Sequence, residues 1–127
     1  MSDSPLKMQT QGLLLFTEHF EQCVNFYGSV LGLPVWFEKE GLVCLRFGDG
    51  YLMVERGGTA SAATKKIHEN PVTLRFNVAD VEAAAKALRL RDISVKIENF
   101  DWGTVGVFND PDGNVCELKD ADDPFFN

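Results

Sequence analysis

Glu55 and Glu117 are the residues of this 127-residue chain whose type and placing invite chemistry. Each is a carboxylate inside an apolar run, YLMVE at 51–55 and VCELK at 115–119. A strand that buries one face gains nothing from an acid on that face unless the acid meets a partner or a ligand. Alternation along 115–119 places Val115, Glu117 and Lys119 on one face and Cys116 and Leu118 on the other, so Glu117 points either into water or into a cavity. Two carboxylates sharing a cavity can hold a divalent ion through oxygen. They also repel each other, and a neighbouring guanidinium relieves that repulsion while staying charged itself. Arg75, in the run TLRFNV at 73–78, is the cation that strand parity puts on the face of Thr73 and Asn77. A cluster of Glu55, Glu117 and Arg75 is self-consistent without metal, either as a ligand site or as a purely structural salt-bridge network.

Placing these residues takes two copies of one unit. The apolar run GLLLFT (12–17) is followed by Thr17 as an expected N-cap, with Glu18 and Glu21 in an acidic first turn. Phe20, Val24, Tyr27 and Leu31 then mark one helical face, and Gly32 with Pro34 ends it, which predicts a helix over 18–31. The run TLRFNV is followed in the same order by Asp80 as a cap and by Val81, Ala84, Ala85 and Leu88, predicting a helix over 80–90. Phe20 and Val81, Val24 and Ala85, and Tyr27 and Leu88 all stand sixty-one positions apart. Three strand-like runs follow each helix, at 35–38, 42–47 and 51–55 and again at 95–98, 105–108 and 115–119. The turn FGDG (47–50) answers to FNDPDG (108–113), whose proline and glycine are strong turn formers. Glu55 and Glu117 therefore occupy one place in two βαβββ modules, near 8–56 and 71–120. The stretch 57–70 reads as a linker with a helical turn at 60–67.

The composition is that of one soluble α+β domain, 45% hydrophobic and 24% charged. No apolar run of membrane-spanning length and no secretory leader is seen, so a cytoplasmic location is expected. Cys23, Cys44 and Cys116 are odd in number and lie in apolar patterns, as buried reduced thiols do. A net charge of −7 argues against a nucleic-acid partner and favours a neutral or cationic small molecule. Trp36 and Phe37 in one half, and Phe100 and Trp102 in the other, stand at matching places near loops, as packing or ligand-stacking residues. The tail 122–126 ends in two phenylalanines, which docking on the domain or on a partner chain would cover.

FYGSVLGLPV (26–35) and WGTVGVFNDPDGNVCEL (102–118), in their paired βαβββ setting, resemble the two hallmark segments of the vicinal oxygen chelate superfamily: glyoxalase I, bleomycin-resistance proteins, fosfomycin-resistance enzymes and extradiol dioxygenases. The resemblance covers nearly the whole chain. It implies two modules related by a pseudo-two-fold, a curled mixed sheet around a cavity, helices on the outer face, and commonly a homodimer. It also implies metal ligands from the first and fourth strands of each module. Carried onto this chain, those four positions are Gly12, Glu55, Thr73 and Glu117. Glycine has no side chain and threonine only a neutral hydroxyl, which leaves Glu55 and Glu117 as weak candidates for a zinc, nickel or iron site. His19, in the first turn of the first helix, and His68, in the linker, are on no cavity strand. An extradiol dioxygenase needs two strand histidines, which the chain lacks.

By parity the ligand-binding cavity is lined by Gly12, Leu14, Phe16, Tyr51, Met53, Glu55, Thr73, Arg75, Asn77 and Glu117, with Val115 beside them. An apolar wall with a few polar groups is the usual make-up of a small-molecule pocket. Three functions are consistent with it. The first is a binding protein of the bleomycin-resistance type with no tightly bound metal. The second is a metal-dependent glyoxalase-like lyase or isomerase using Glu55 and Glu117. The third is a structural member whose cavity its own side chains fill. If the second holds, histidine at both Gly12 and Thr73 is expected to raise metal affinity.

Overall fold

The computed structural model describes residues 5–121; the tail of two phenylalanines lies outside them. The chain divides into two compact units, 1–59 and 60–127. Each is a βαβββ module with a four-stranded mixed sheet. In the first, β1 (Gly12–Thr17), β2 (Val35–Lys39), β3 (Leu42–Phe47) and β4 (Gly50–Arg56) lie in the order β1-β4-β3-β2. In the second, β5 (Leu74–Val78), β6 (Lys96–Phe100), β7 (Gly103–Asn109) and β8 (Val115–Asp120) lie in the order β5-β8-β7-β6. The first strand of each unit runs parallel to the last, and the other pairs are antiparallel. The fold class is therefore α+β with two sheets of like topology.

The first helix departs from regular form. It is α-helical only over Phe20–Val24 (α1) and continues as a π-helix over Asn25–Val30. Its wider turn closes with the Leu31 N–H donating to the Phe26 carbonyl at 2.9 Å. Thr17 does not cap it. Thr17 ends β1 fully buried, and its hydroxyl donates to the Glu55 carbonyl at 2.8 Å, while His19 stands at the cap position and its side chain makes no cap bond to the helix. What fastens the first turn is Arg56 at the end of β4. Its guanidinium donates to Glu21 at 2.5 Å and lies 4.4 Å over the Phe20 ring, and this contact holds the Glu21 carboxyl below its usual range. Phe20, Cys23, Phe26 and Tyr27 are buried with Val43, Leu45, Leu52 and Val54 of the strands, and truncating one such leucine to alanine costs about 2–5 kcal/mol.

Helix α2 (Val81–Arg89) is regular, and both of its ends are built. Asp80 is the N-cap as expected, accepting from the Ala83 N–H at 3.1 Å. Asp120 of β8 accepts from the Val81 N–H at 3.1 Å, so the same carboxylate caps the helix and ties it to the sheet. At the other end the Ile93 N–H returns to the Leu88 carbonyl and the Asp92 N–H to Arg89, with Asp92 in the left-handed region at φ 63°. That is the Schellman arrangement, in which glycine is the favoured residue.

The segment 60–70 is not a bare linker, and it carries no helical turn at 60–67; a turn falls at 67–69. It lies against the β7–β8 turn of its own unit. The Ser61 and Lys65 N–H groups donate to the carbonyls of Asp112 and Gly113, and Lys65 Nζ and Asn70 Nδ2 donate to Asn114 Oδ1. Asp110 braces that turn from inside, accepting from the Asp112 and Asn114 N–H groups. Gly113 has φ 87°, and a Cβ there would collide with the Ser61 and Ala63 carbonyls, so the position is glycine for two reasons. Asp92→Gly is expected to stabilise the protein by about 0.5–1 kcal/mol by relieving left-handed strain. Urea unfolding checks it, and an unchanged or lowered midpoint would contradict the Schellman assignment.

Candidate functional site

In the first unit, cross-strand register assembles one face of the sheet. Its rows are Gly12, Tyr51 and Arg46; Leu14, Met53, Cys44 and Phe37; and Phe16, Glu55 and Leu42. Gly12, Leu14, Phe16, Tyr51, Met53 and Glu55 thus share the side turned away from the fully buried Leu52 and Val54. Leu14 and Phe16 are 52% and 51% exposed. A bulge between Val35 and Phe37 inserts Trp36 as an extra residue and turns it onto this face. There the Arg46 guanidinium lies 3.9 Å from the Trp36 ring centre, and the Tyr51 ring lies 5.9 Å away. Cys44 in the middle row is fully buried, and burial pushes its thiol above the usual range, with Arg46 opposing; it packs as a small apolar side chain.

The Tyr51 ring rests directly on Gly12. A Cβ at position 12 would fall inside the contact distance of ring atoms Cε1, Cζ and Cδ1. The glycine is there because the tyrosine covers it. Histidine at position 12, one of the two substitutions expected to raise metal affinity, would need the volume the ring fills, so the ring would have to move aside.

In the second unit Arg75, Asn77, Val115 and Glu117 share a face, and Thr73 is exposed just ahead of β5. Arg75 and Glu117 are direct cross-strand partners, and Arg75 Nε donates to Glu117 Oε1 at 2.5 Å. The guanidinium expected to meet one of the two glutamates meets this one. Lys119 is missing from the cavity set above although the alternation in 115–119 gave it Glu117's face. It is fully buried, lies opposite Asn77, and sets its Nζ 5.7 Å from the Trp102 ring, which stacks on Phe100 at 4.9 Å.

The two first-to-last ladders differ in register by two residues. Glu55 lies beside Phe16, but Glu117 lies beside Arg75, and the residue beside Asn77, which matches Phe16 sixty-one positions on, is Lys119. A slip of two keeps every side chain on its face, so the parity reading survives it. What it shifts is the pair of glutamates: Glu55 and Glu117 lie beside first-strand positions that do not correspond, Phe16 and Arg75. His19 and His68 are both exposed, one ahead of α1 and one in the 67–69 turn.

The donors available do not fit a resident metal ion. Position 12 is filled by an aromatic ring, Thr73 is a hydroxyl outside the strand, and the Glu117 carboxylate is already bonded to a guanidinium. Neither unit, among the described residues, brings three His, Cys, Asp or Glu side chains together as a metal-binding group.

The chain belongs to the Glyoxalase/Bleomycin resistance protein/Dioxygenase superfamily, whose model matches residues 10–118. No curated protein matches it in sequence. Among solved structures it is similar to a bleomycin-binding protein from Streptomyces verticillus complexed with copper(II)-bleomycin, at 18% identity and TM-score 0.67 over 92% of this chain and 99% of that one. It is similar also to TnmS3, an antibiotic binding protein from Streptomyces sp. CB03234, at 22% identity and TM-score 0.66 over 89% and 95%. A lactoylglutathione lyase from Agrobacterium tumefaciens matches at 18% identity and TM-score 0.70 over 93% and 96%. At these identities the likeness is one of fold. No helix among the described residues is long and apolar enough to cross a membrane.

Gly12→Ala is expected to cost about 1–3 kcal/mol by overpacking against Tyr51, and to be neutral or stabilising in a Tyr51→Ala background, where the strand gains from losing a glycine. A double-mutant cycle by urea unfolding reads this, and equal effects in both backgrounds would show that the ring does not rest on position 12. Arg75→Ala is expected to cost about 1–2 kcal/mol, the low end of the range for an uncompensated, partly buried carboxylate because Arg75 is more than a third exposed. The loss should shrink when Glu117 is also changed to glutamine, and purely additive losses would remove the pair from the account.

Proposed function

We propose that the chain is a small-molecule-binding protein of the bleomycin-resistance kind that works without a complete metal centre. The observation that carries this is the Tyr51 ring on Gly12, which puts an aromatic surface where a metal-dependent relative would need a donor. The proposed ligand-binding surface is Gly12, Leu14, Phe16, Tyr51, Met53 and Glu55 of the first unit, with Thr73, Arg75, Asn77 and Glu117 of the second. Its mixture of half-exposed apolar side chains and a few charged groups supports the reading, since such surfaces gain from covering apolar area while the polar groups fix orientation. The names of the bleomycin-binding and antibiotic-binding neighbours agree with it. We extend the proposal to a cytoplasmic homodimer. The buried free thiols support the compartment, and exposed Leu13, Leu14, Val35 and Trp36 supply apolar surface for a partner copy.

The test is metal content after tag-free, chelator-free purification and dialysis, with a thermal-shift screen of antibiotics and small aromatic metabolites run with and without EDTA. The expected result is substoichiometric metal and ligand-induced stabilisation that EDTA leaves unchanged. Stoichiometric zinc, nickel or iron, or a glyoxalase-type lyase activity abolished by EDTA, would replace this reading with the metal-dependent enzyme that uses Glu55 and Glu117.

A further inference from the structure

We draw no further inference here: the strongest candidate, the half-exposed apolar and aromatic face of the first sheet, where Arg46 stacks on Trp36 and Glu55 lies beside Phe16, belongs to the ligand-binding surface already proposed, and nothing in the structure shows what covers it.

Discussion

Parallel pairing of a unit's first strand with its last forces the chain between them to cross over the sheet, and the helix that makes the crossing then covers one face. Each unit of this protein is organised around that ladder. β1 beside β4, and β5 beside β8, decide which side chains stand next to one another in the middle of the sheet. Tyr51 meets Gly12 along the first ladder, and Arg75 meets Glu117 along the second. The features that set the chemical character of the two faces are thus direct consequences of register, with the antiparallel hairpins supplying the walls.

The same ladder gives the two units different solutions at corresponding depth. In the first, an aromatic ring lies over bare backbone, and the neighbouring bulge adds a tryptophan on which an arginine stacks. In the second, an acid is neutralised by a guanidinium and a buried lysine lies under a tryptophan. The first surface is aromatic and apolar, the second polar and charged. The two modules thus differ at the level of single ladder positions.

Much of this was legible in the sequence because it rests on period and local turn chemistry. Phe20 and Val81 open the two helices at the sixty-one-residue spacing, GLLLFT is β1 to the residue, and Asp80 caps α2. Parity also put Arg75 on the face of Glu117. What the sequence hid depends on contacts between distant segments. The face read at 3.6 residues per turn is Phe20, Val24, Tyr27 and Leu31, whereas the helix with its π-helical continuation buries Phe20, Cys23, Phe26 and Tyr27. Thr17 reads as a cap locally, but its hydroxyl is claimed by a carbonyl thirty-eight residues away. A two-residue slip between the ladders leaves no trace in a pattern of period two, which is why Glu55 and Glu117 read as standing beside the same first-strand position. The docking of 60–70 on the β7–β8 turn needs the side chain of Asn114, whose two donors are forty-four and forty-nine residues away.

Strand β1 also has a bearing on the order in which the molecule forms. β2, β3 and β4 are joined by short turns and can pair within microseconds, whereas β1 pairs with β4, which lies much further along the chain, and must wait for it. Until then Leu13, Leu14, Leu15 and Phe16 are an uncharged, proline-free run apolar towards both sides, the composition that promotes pairing between chains. In the finished unit β1 is still an edge strand with Leu13, Leu14 and Phe16 partly open to solvent. Charged residues flank the run, with Lys7 before it and Glu18 directly after it. Flanking charges of this kind oppose pairing of such a run with its copy in another chain.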